Sequence, residues 1–208
     1  MASNPDLILA SSSPRRTDLM RVVGVPFRVV APRTEEEPAP GEAPSRFVRR
    51  AARGKGEEVA SRHADSFVLA ADTIVVASGA ILGKPKSPAD SVRMLALLAG
   101  REHRVHTAVC LLRARDGYRE EGVETTRVVF RELSRKEIEG YVRTGEPGDK
   151  AGAYAAQGAG NLLIDRIVGS YTNVVGLPMT RVVRMLLRAN LIAVSPEGPG
   201  WYGPAGRG

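Results

Sequence analysis

Phe67-Val68-Leu69-Ala70-Ala71-Asp72 is the stretch that decides the fold: an unbroken apolar run closed by a carboxylate. Such a run suits a central strand covered on both faces, whereas strict alternation would mark a strand with one wet face. Ending it in Asp72 points to an α/β sheet with ligands bound at the carboxyl ends of the strands. Leu7-Ile8-Leu9-Ala10 reads as another buried strand, feeding Ser11, Ser12 and Ser13. Ser13 is placed to N-cap a helix with Pro14 in its first turn, Leu19, Met20 and Val23 on one face, and Gly24 as its stop.

The same reading extends along the chain. Phe27 to Val30 is a strand, and Ala31 to Pro44 is a Pro- and Glu-rich loop carrying Glu35, Glu36 and Glu37. Ser45 to about Ala60 has helical spacing, which Gly54 and Gly56 weaken. Ile74 to Ala77 and Ile81-Leu82 form a hairpin over Ser78-Gly79, and Gly83-Lys84-Pro85-Lys86 is a tight loop. A helix carries Val92, Met94, Leu95 and Leu98. Val105 to Arg113 and Val123 to Arg131 read as an antiparallel strand pair joined around Asp116-Gly117. Ser134 and Glu137 form a capping box, and a Gly- and Ala-rich loop from Gly145 to Gly160 leads into a strand over Leu162 to Val168. Asn173 to Pro178 is a turn before a last amphipathic helix. The expected fold is α/β, a mixed twisted sheet with flanking helices.

At 208 residues, 43% hydrophobic and 25% charged, the chain can bury one substantial core or two small ones. One domain over residues 1–192 is expected, with a flexible Gly/Pro-rich tail over 193–208. Cys110 is the single cysteine, so no internal disulfide or Cys-rich metal site can form, which favours the cytoplasm. No run approaches the roughly 18 apolar residues of a membrane span, and no secretory leader is visible. The net charge of +7 implies an anionic partner. Acidic neighbours interrupt the basic residues and aromatics make up only 5%, so nucleic acid is disfavoured and a small anionic ligand preferred.

Ser11 to Arg16 combines hydroxyls, a helix N-terminus and two guanidinium groups, an anion trap if Arg15 and Arg16 are not simply solvated. On its own the segment supports either reading equally. A carboxylate at the end of an apolar strand is costly unless it binds metal, pairs with a cation or polarises a water, which singles out Asp72. Thr73 beside it can hydrogen-bond. Glu35 offers a second carboxylate for Mg²⁺ if its loop folds toward the first. Lys55, Lys84 and Lys150 are further cations, each of which alone reads as surface. In Asp149 to Gly158, small residues permit close approach of a nucleobase, and Gln157 supplies both a donor and an acceptor. His103 and His106 fall on opposite faces of a strand, which argues against a metal pair. No Walker loop or serine-hydrolase elbow occurs.

Leu9-Ala-Ser-Ser-Ser-Pro-Arg-Arg16, Ala71-Asp-Thr-Ile-Val75, Leu82-Gly-Lys-Pro85, Asp149-Lys-Ala-Gly-Ala-Tyr154 with Gln157-Gly158, and Asn173-Val-Val-Gly-Leu-Pro178 together resemble the Maf family of nucleotide pyrophosphatases. The resemblance covers about Leu7 to Ile192. It implies two lobes around a central nucleotide-binding cleft, of Maf/ITPase-like type. The implied reaction cleaves nucleoside triphosphates to monophosphate and pyrophosphate with a divalent cation, Mg²⁺ with Mn²⁺ as the alternative, removing unwanted nucleotides and linked to cell-division arrest. The Asp149 to Gln157 motif is similar to the dTTP/UTP subgroup. Carried over, Asp72 is the proton acceptor and, with Glu35, a metal ligand. Arg15, Thr73 and Gln157 set base preference, and Ser13, Arg16, Lys55, Lys84 and Lys150 hold phosphates. A homodimer is compatible with the sequence. Departures from the family pattern fall at Gly54, Gly56, Ala155 and Ala156. The competing readings are a pyrophosphatase for a modified nucleotide such as methylated GTP, and a basic nucleic-acid or regulatory binding protein without turnover.

Overall fold

The computed structural model describes residues 7–195 and 202–205. The elements are β1 (Leu7–Ala10), α1 (Pro14–Arg21), β2 (Arg28–Val30), α2 (Pro44–Ser61), β3 (Phe67–Ala77), β4 (Ala80–Leu82), α3 (Pro88–Leu98), β5 (Glu102–Arg113), β6 (Tyr118–Phe130), α4 (Arg135–Arg143), β7 (Ile164–Val168), α5 (Tyr171–Val175), α6 (Met179–Arg188), β8 (Ile192–Val194) and β9 (Tyr202–Pro204). A mixed sheet of seven strands runs in the order β2-β1-β3-β5-β6-β7, with β4 paired to β3. β1 is parallel to both neighbours, Leu9 facing Val29 on one side and Leu69 on the other. The β3–β4 hairpin turns through Ser78 and Gly79, both at positive φ (49° and 80°), as a two-residue turn matched to strand twist requires.

β3 does not end at Asp72 as the apolar run suggested. It continues to Ala77, so Asp72 is internal to the strand. The parallel partner β1 stops at Ala10, opposite Ala70, and β4 begins pairing only at Val75. Asp72 and Thr73 therefore occupy the stretch between the two registers, where the side chains are half-buried while the flanking residues are buried.

The chain forms two compact units. The first comprises the described residues of Met1–Asp72, Ala108–Val123 and Gly176–Gly208. Here the unbroken apolar runs serve two cores. Leu9, Leu69, Val109 and Leu111 pack with Met20 of α1 and with Val182, Met185 and Leu186 of α6. Their neighbours in the strands, Ile8, Val68, Cys110 and Leu112, pack with Val59 and Ala60 of α2. Alternation sends successive side chains to opposite faces, so a strand covered on both sides needs an apolar residue at every position. Burial in this second cluster pushes the Cys110 thiol up to about 12, making it an inert packing group.

The glycines that weakened the α2 reading do not interrupt it. At Gly56 a Cβ would lie 2.8 Å from Leu112 Cδ2 and 3.2 Å from the Ala70 Cβ, so glycine permits the helix to approach the sheet closely. Gly54 lies beneath the Glu36 carboxylate. Asn173, expected in a turn, instead sits within the short helix α5. Of the tail expected to be flexible, Tyr202–Pro204 pairs antiparallel with β8, while 196–201 and 206–208 lie outside the described residues.

The second unit comprises Thr73–Thr107 and Glu124–Val175. Leu95 and Leu98 of α3 and Ile138 and Tyr141 of α4 pack with Val75, Val105, Phe130 and Tyr154. His103 lies within this core, its Nε2 2.8 Å from the Tyr154 hydroxyl. Burial lowers its imidazole from 6.5 to about 4. A buried neutral histidine of this kind makes the unfolded chain the stronger proton binder below pH 6.5. Its contribution should thus be complete above that pH and should fall by about 3 kcal/mol on acidification to pH 4. Urea unfolding across this window checks the slope, which His103→Gln should flatten.

Candidate active site

In the first unit, the loop after β1 turns into α1 with Ser13 at the N-cap position. Its backbone is extended (φ −81°, ψ 117°), but its hydroxyl makes no capping bond. Instead the Ser13 N–H donates to Ser11 Oγ at 3.1 Å. Ser13 thus stands at the N-cap position expected of it, but its hydroxyl does not make the capping bond that the sequence pattern suggested. Arg15 and Arg16 are half-buried in the first turn of α1. Arg16 Nε donates to the Gly176 carbonyl and Nη1 to the Ala71 carbonyl, both at 2.8 Å. Burial lowers the Arg16 pKa while the Asp72 charge opposes that shift, so the two groups are electrostatically coupled. Arg16 fixes the peptide immediately before Asp72, a structural task absent from the phosphate-binding expectation.

Asp72 Oδ1 accepts from Lys55 Nζ, the side chains being 14% and 17% exposed. A largely sheltered ion pair is more than surface decoration, and it gives Lys55 a defined address on α2. Glu35 is exposed on its loop. The loop is clamped by Arg50 of α2, which binds the Glu36 carboxylate, donates to the Glu37 carbonyl at 2.9 Å, and pairs with Glu42 at 2.7 Å. The hydrogen bonds from Arg50 and the Ala39 N–H pull the Glu42 carboxyl down to about 2. With Glu36 above Gly54, the clamp holds the acidic loop against the helix residue preceding Lys55. Sequence reasoning missed Arg50; the dense Glu35 to Glu37 run with an arginine on the next helix was the only available signal.

In the second unit, Thr73 Oγ1 lies 2.9 Å from Thr107 Oγ1, and Thr107 donates to the Asn173 carbonyl at 3.0 Å. Asn173 Nδ2 donates to the Val105 carbonyl and to Thr126 Oγ1 at 3.1 and 2.9 Å. Thr73 is therefore the half-buried end of a buried polar chain. Lys84 is exposed, and its loop is tied to the Asp149 to Gly158 segment by the Gly152 N–H donating to the Gly83 carbonyl at 3.0 Å. Gly152 has φ +69° and presses on Val75, so a side chain here would clash as well as strain. Lys150 Nζ contacts Asp149 Oδ1 at 2.5 Å and the Glu146 carbonyl at 2.6 Å. Gln157 is exposed where the chain turns into a short 3₁₀ segment, Gly158–Leu163. His103 and His106 hold different partners, Tyr154 and Thr125. Among the described residues no three His, Cys, Asp or Glu gather, and no helix is long and apolar enough to cross a membrane.

Residues 6–189 match the family described as Maf-like protein. A dTTP/UTP pyrophosphatase of Geobacter sulfurreducens is 50% identical over 183 residues, covering 88% of this chain and 95% of that protein. A dTTP/UTP pyrophosphatase of Syntrophomonas wolfei is 47% identical over 180 residues, covering 86% and 95%. One from Symbiobacterium thermophilum is 50% identical over 182 residues, covering 86% and 92%.

Proposed function

The chain belongs to the Maf-like protein family, and from that membership we propose that it hydrolyses dTTP and UTP to the nucleoside monophosphate and pyrophosphate. The observation that carries the mechanism is Asp72, a half-buried carboxylate in the gap between two strand registers, with Lys55 on one oxygen. In the proposed step Asp72 accepts a proton from the water attacking the α-phosphorus. The bond from that phosphorus to the bridging oxygen breaks, and pyrophosphate leaves. Lys55 holds the carboxylate in one direction. Ser13, Arg16, Lys55, Lys84 and Lys150 carry the donors and positive charge proposed to meet phosphate oxygens, and Arg15, Thr73 and Gln157 are proposed to set base preference. Clearing nucleotides from the cytoplasmic pool is the role such a reaction supports.

Hydrolysis of this class works with a divalent cation, proposed here to be Mg²⁺ held by Asp72 and Glu35. When bound, such a cation neutralises charge on the phosphate oxygens. The chemistry of the two carboxylates suits a hard cation, since Mg²⁺ is commonly held by one or two carboxylates with substrate phosphates completing its oxygen shell.

The basic binding-protein alternative loses support from the ion pairs. Arg21, Arg93, Arg113, Arg135 and Arg188 are each paired with a carboxylate within hydrogen-bond reach, so acidic groups interrupt the basic surface at these positions even though the net charge is unchanged. Product analysis tests the reaction. Pyrophosphate is expected as the first product from dTTP, turnover is expected to stop with EDTA and return with Mg²⁺, and first release of orthophosphate from the γ position would overturn the mechanism. Comparing dTTP, UTP and methylated GTP tests the substrate, and preference for methylated GTP would replace the pyrimidine assignment.

A further inference from the structure

The second unit holds an ionisable group with no role in the proposed chemistry whose contacts surround Gln157. Glu146 lies just past α4. Its Oε1 accepts from the Tyr141 hydroxyl at 2.8 Å and from the Gly160 N–H at 2.9 Å, and its Oε2 accepts from the Ala159 N–H at 3.0 Å. Tyr141 extends the frame, since its oxygen accepts from the Ala155 N–H at 3.2 Å. Burial alone would raise the Glu146 carboxyl, but the bonds from Tyr141, Gly160 and Ala159 prevail and lower it, so a carboxylate is the form this frame is built around.

Two glycines show how closely the frame fits. A Cβ on Gly158, which has φ +70°, would lie 2.6 Å from Glu146 Oε2. One on Gly160 would lie 2.6 Å from the Tyr141 hydroxyl and run into the Ala155 carbonyl. Backbone N–H groups on both sides of Gln157 are thereby fixed to one Tyr141–Glu146 pair, while Gln157 itself is exposed.

We infer that Glu146, acting with Tyr141, is a positioning residue for substrate specificity: it presents the Gln157 amide in the orientation that distinguishes a thymine or uracil edge from other bases. The inference rests on the base-reading role proposed for Gln157. A thymine or uracil edge alternates carbonyl acceptors with an N–H donor, and an amide matches it only when its donor and acceptor are correctly directed. Loss of a positioning frame therefore appears as lost discrimination, with less effect on the chemical step.

Steady-state kinetics of the full chain with dTTP, UTP and CTP test this in Glu146→Gln, Gln157→Ala and the double variant. In Glu146→Gln one acceptor oxygen becomes an NH₂ group facing N–H donors, and the expected result is a KM for dTTP and UTP about tenfold higher, with a smaller change in kcat and reduced preference over CTP. Gln157→Ala should do the same, and the double variant should be little worse than either single one, because both act through one contact. If Gln157→Ala raises KM but Glu146→Gln leaves KM and the preference over CTP unchanged, the positioning inference fails and base reading by Gln157 stands. If Gln157→Ala itself leaves KM and preference unchanged, the base-reading role fails and the inference fails with it. Should Glu146→Gln not fold, Tyr141→Phe removes only the hydroxyl. It should raise KM about threefold with the same loss of preference, and an unchanged preference overturns the inference.

Discussion

Asp72→Asn is expected to lower kcat for dTTP and UTP by about 10³-fold while leaving the protein folded. The substitution keeps the shape and one carbonyl oxygen, so Lys55 retains an acceptor where it now meets Oδ1. What is lost is the capacity to take a proton from water. The stability cost should be modest, about 1 kcal/mol, because the pair is sheltered but not sealed, at 14% and 17% side-chain exposure. This separates catalysis from structure. If Asp72 served only as a partner for Lys55, then Asp72→Asn, which still offers Lys55 an acceptor, would keep most of the turnover at that small cost in stability. As the proton acceptor, Asp72 leaves the Asp72→Asn variant folded and inactive. Thermal melting together with turnover of dTTP and UTP reads both quantities, and near-normal turnover in Asp72→Asn would remove Asp72 from the role of base.

The core was legible in the chain because strand burial is written in it at every position. Leu7 to Ala10 and Phe67 to Ala71 are apolar without a break because alternate residues enter different clusters, Leu9 and Leu69 on one side of the sheet and Ile8 and Val68 on the other. The end of β3 was not legible. Asp72 resembles a stop, yet strand continuation depends on which neighbours extend alongside, and the register of Ala10 against Ala70 is a long-range fact. The two helix glycines misled in the opposite direction: propensity counts the missing side chain as a weakness, while packing against Leu112 and Ala70 makes use of the space.

The candidate site divides in the same way. Side chains that themselves carry charge or amide chemistry, such as Asp72, Lys55 and Gln157, can be nominated from sequence. Groups whose partners are backbone atoms cannot. Glu146 holds the N–H groups of Ala159 and Gly160, and a backbone N–H has the same signature at every non-proline position. Tyr141 was readable only as an apolar helix position, because its hydroxyl contacts lie at Glu146 and Ala155, beyond the end of α4.

Arg16 is the strongest case of a residue whose chemistry was visible and whose partners were not. Its side chain ties α1 to the carbonyls of Ala71 and Gly176, 55 and 160 residues away. Arg16→Met is expected to destabilise the protein by about 4 kcal/mol, since each sheltered carbonyl loses a charge-assisted donor with a net value of about 1.5 to 3 kcal/mol. Arg16→Lys decides between charge and geometry. A lysine restores the positive charge near Asp72 but has one nitrogen on a flexible stem, which cannot reproduce a planar fork reaching two carbonyls in fixed directions. If the guanidinium acts chiefly as a positioning fork, lysine should recover less than half of the lost stability and leave turnover impaired, because the Ala71–Asp72 peptide is no longer fixed. If positive charge toward phosphate is its whole role, lysine should restore most of the turnover. Urea unfolding and dTTP turnover on Arg16→Met and Arg16→Lys separate the two, and full recovery of both quantities in Arg16→Lys would remove the fork from the account.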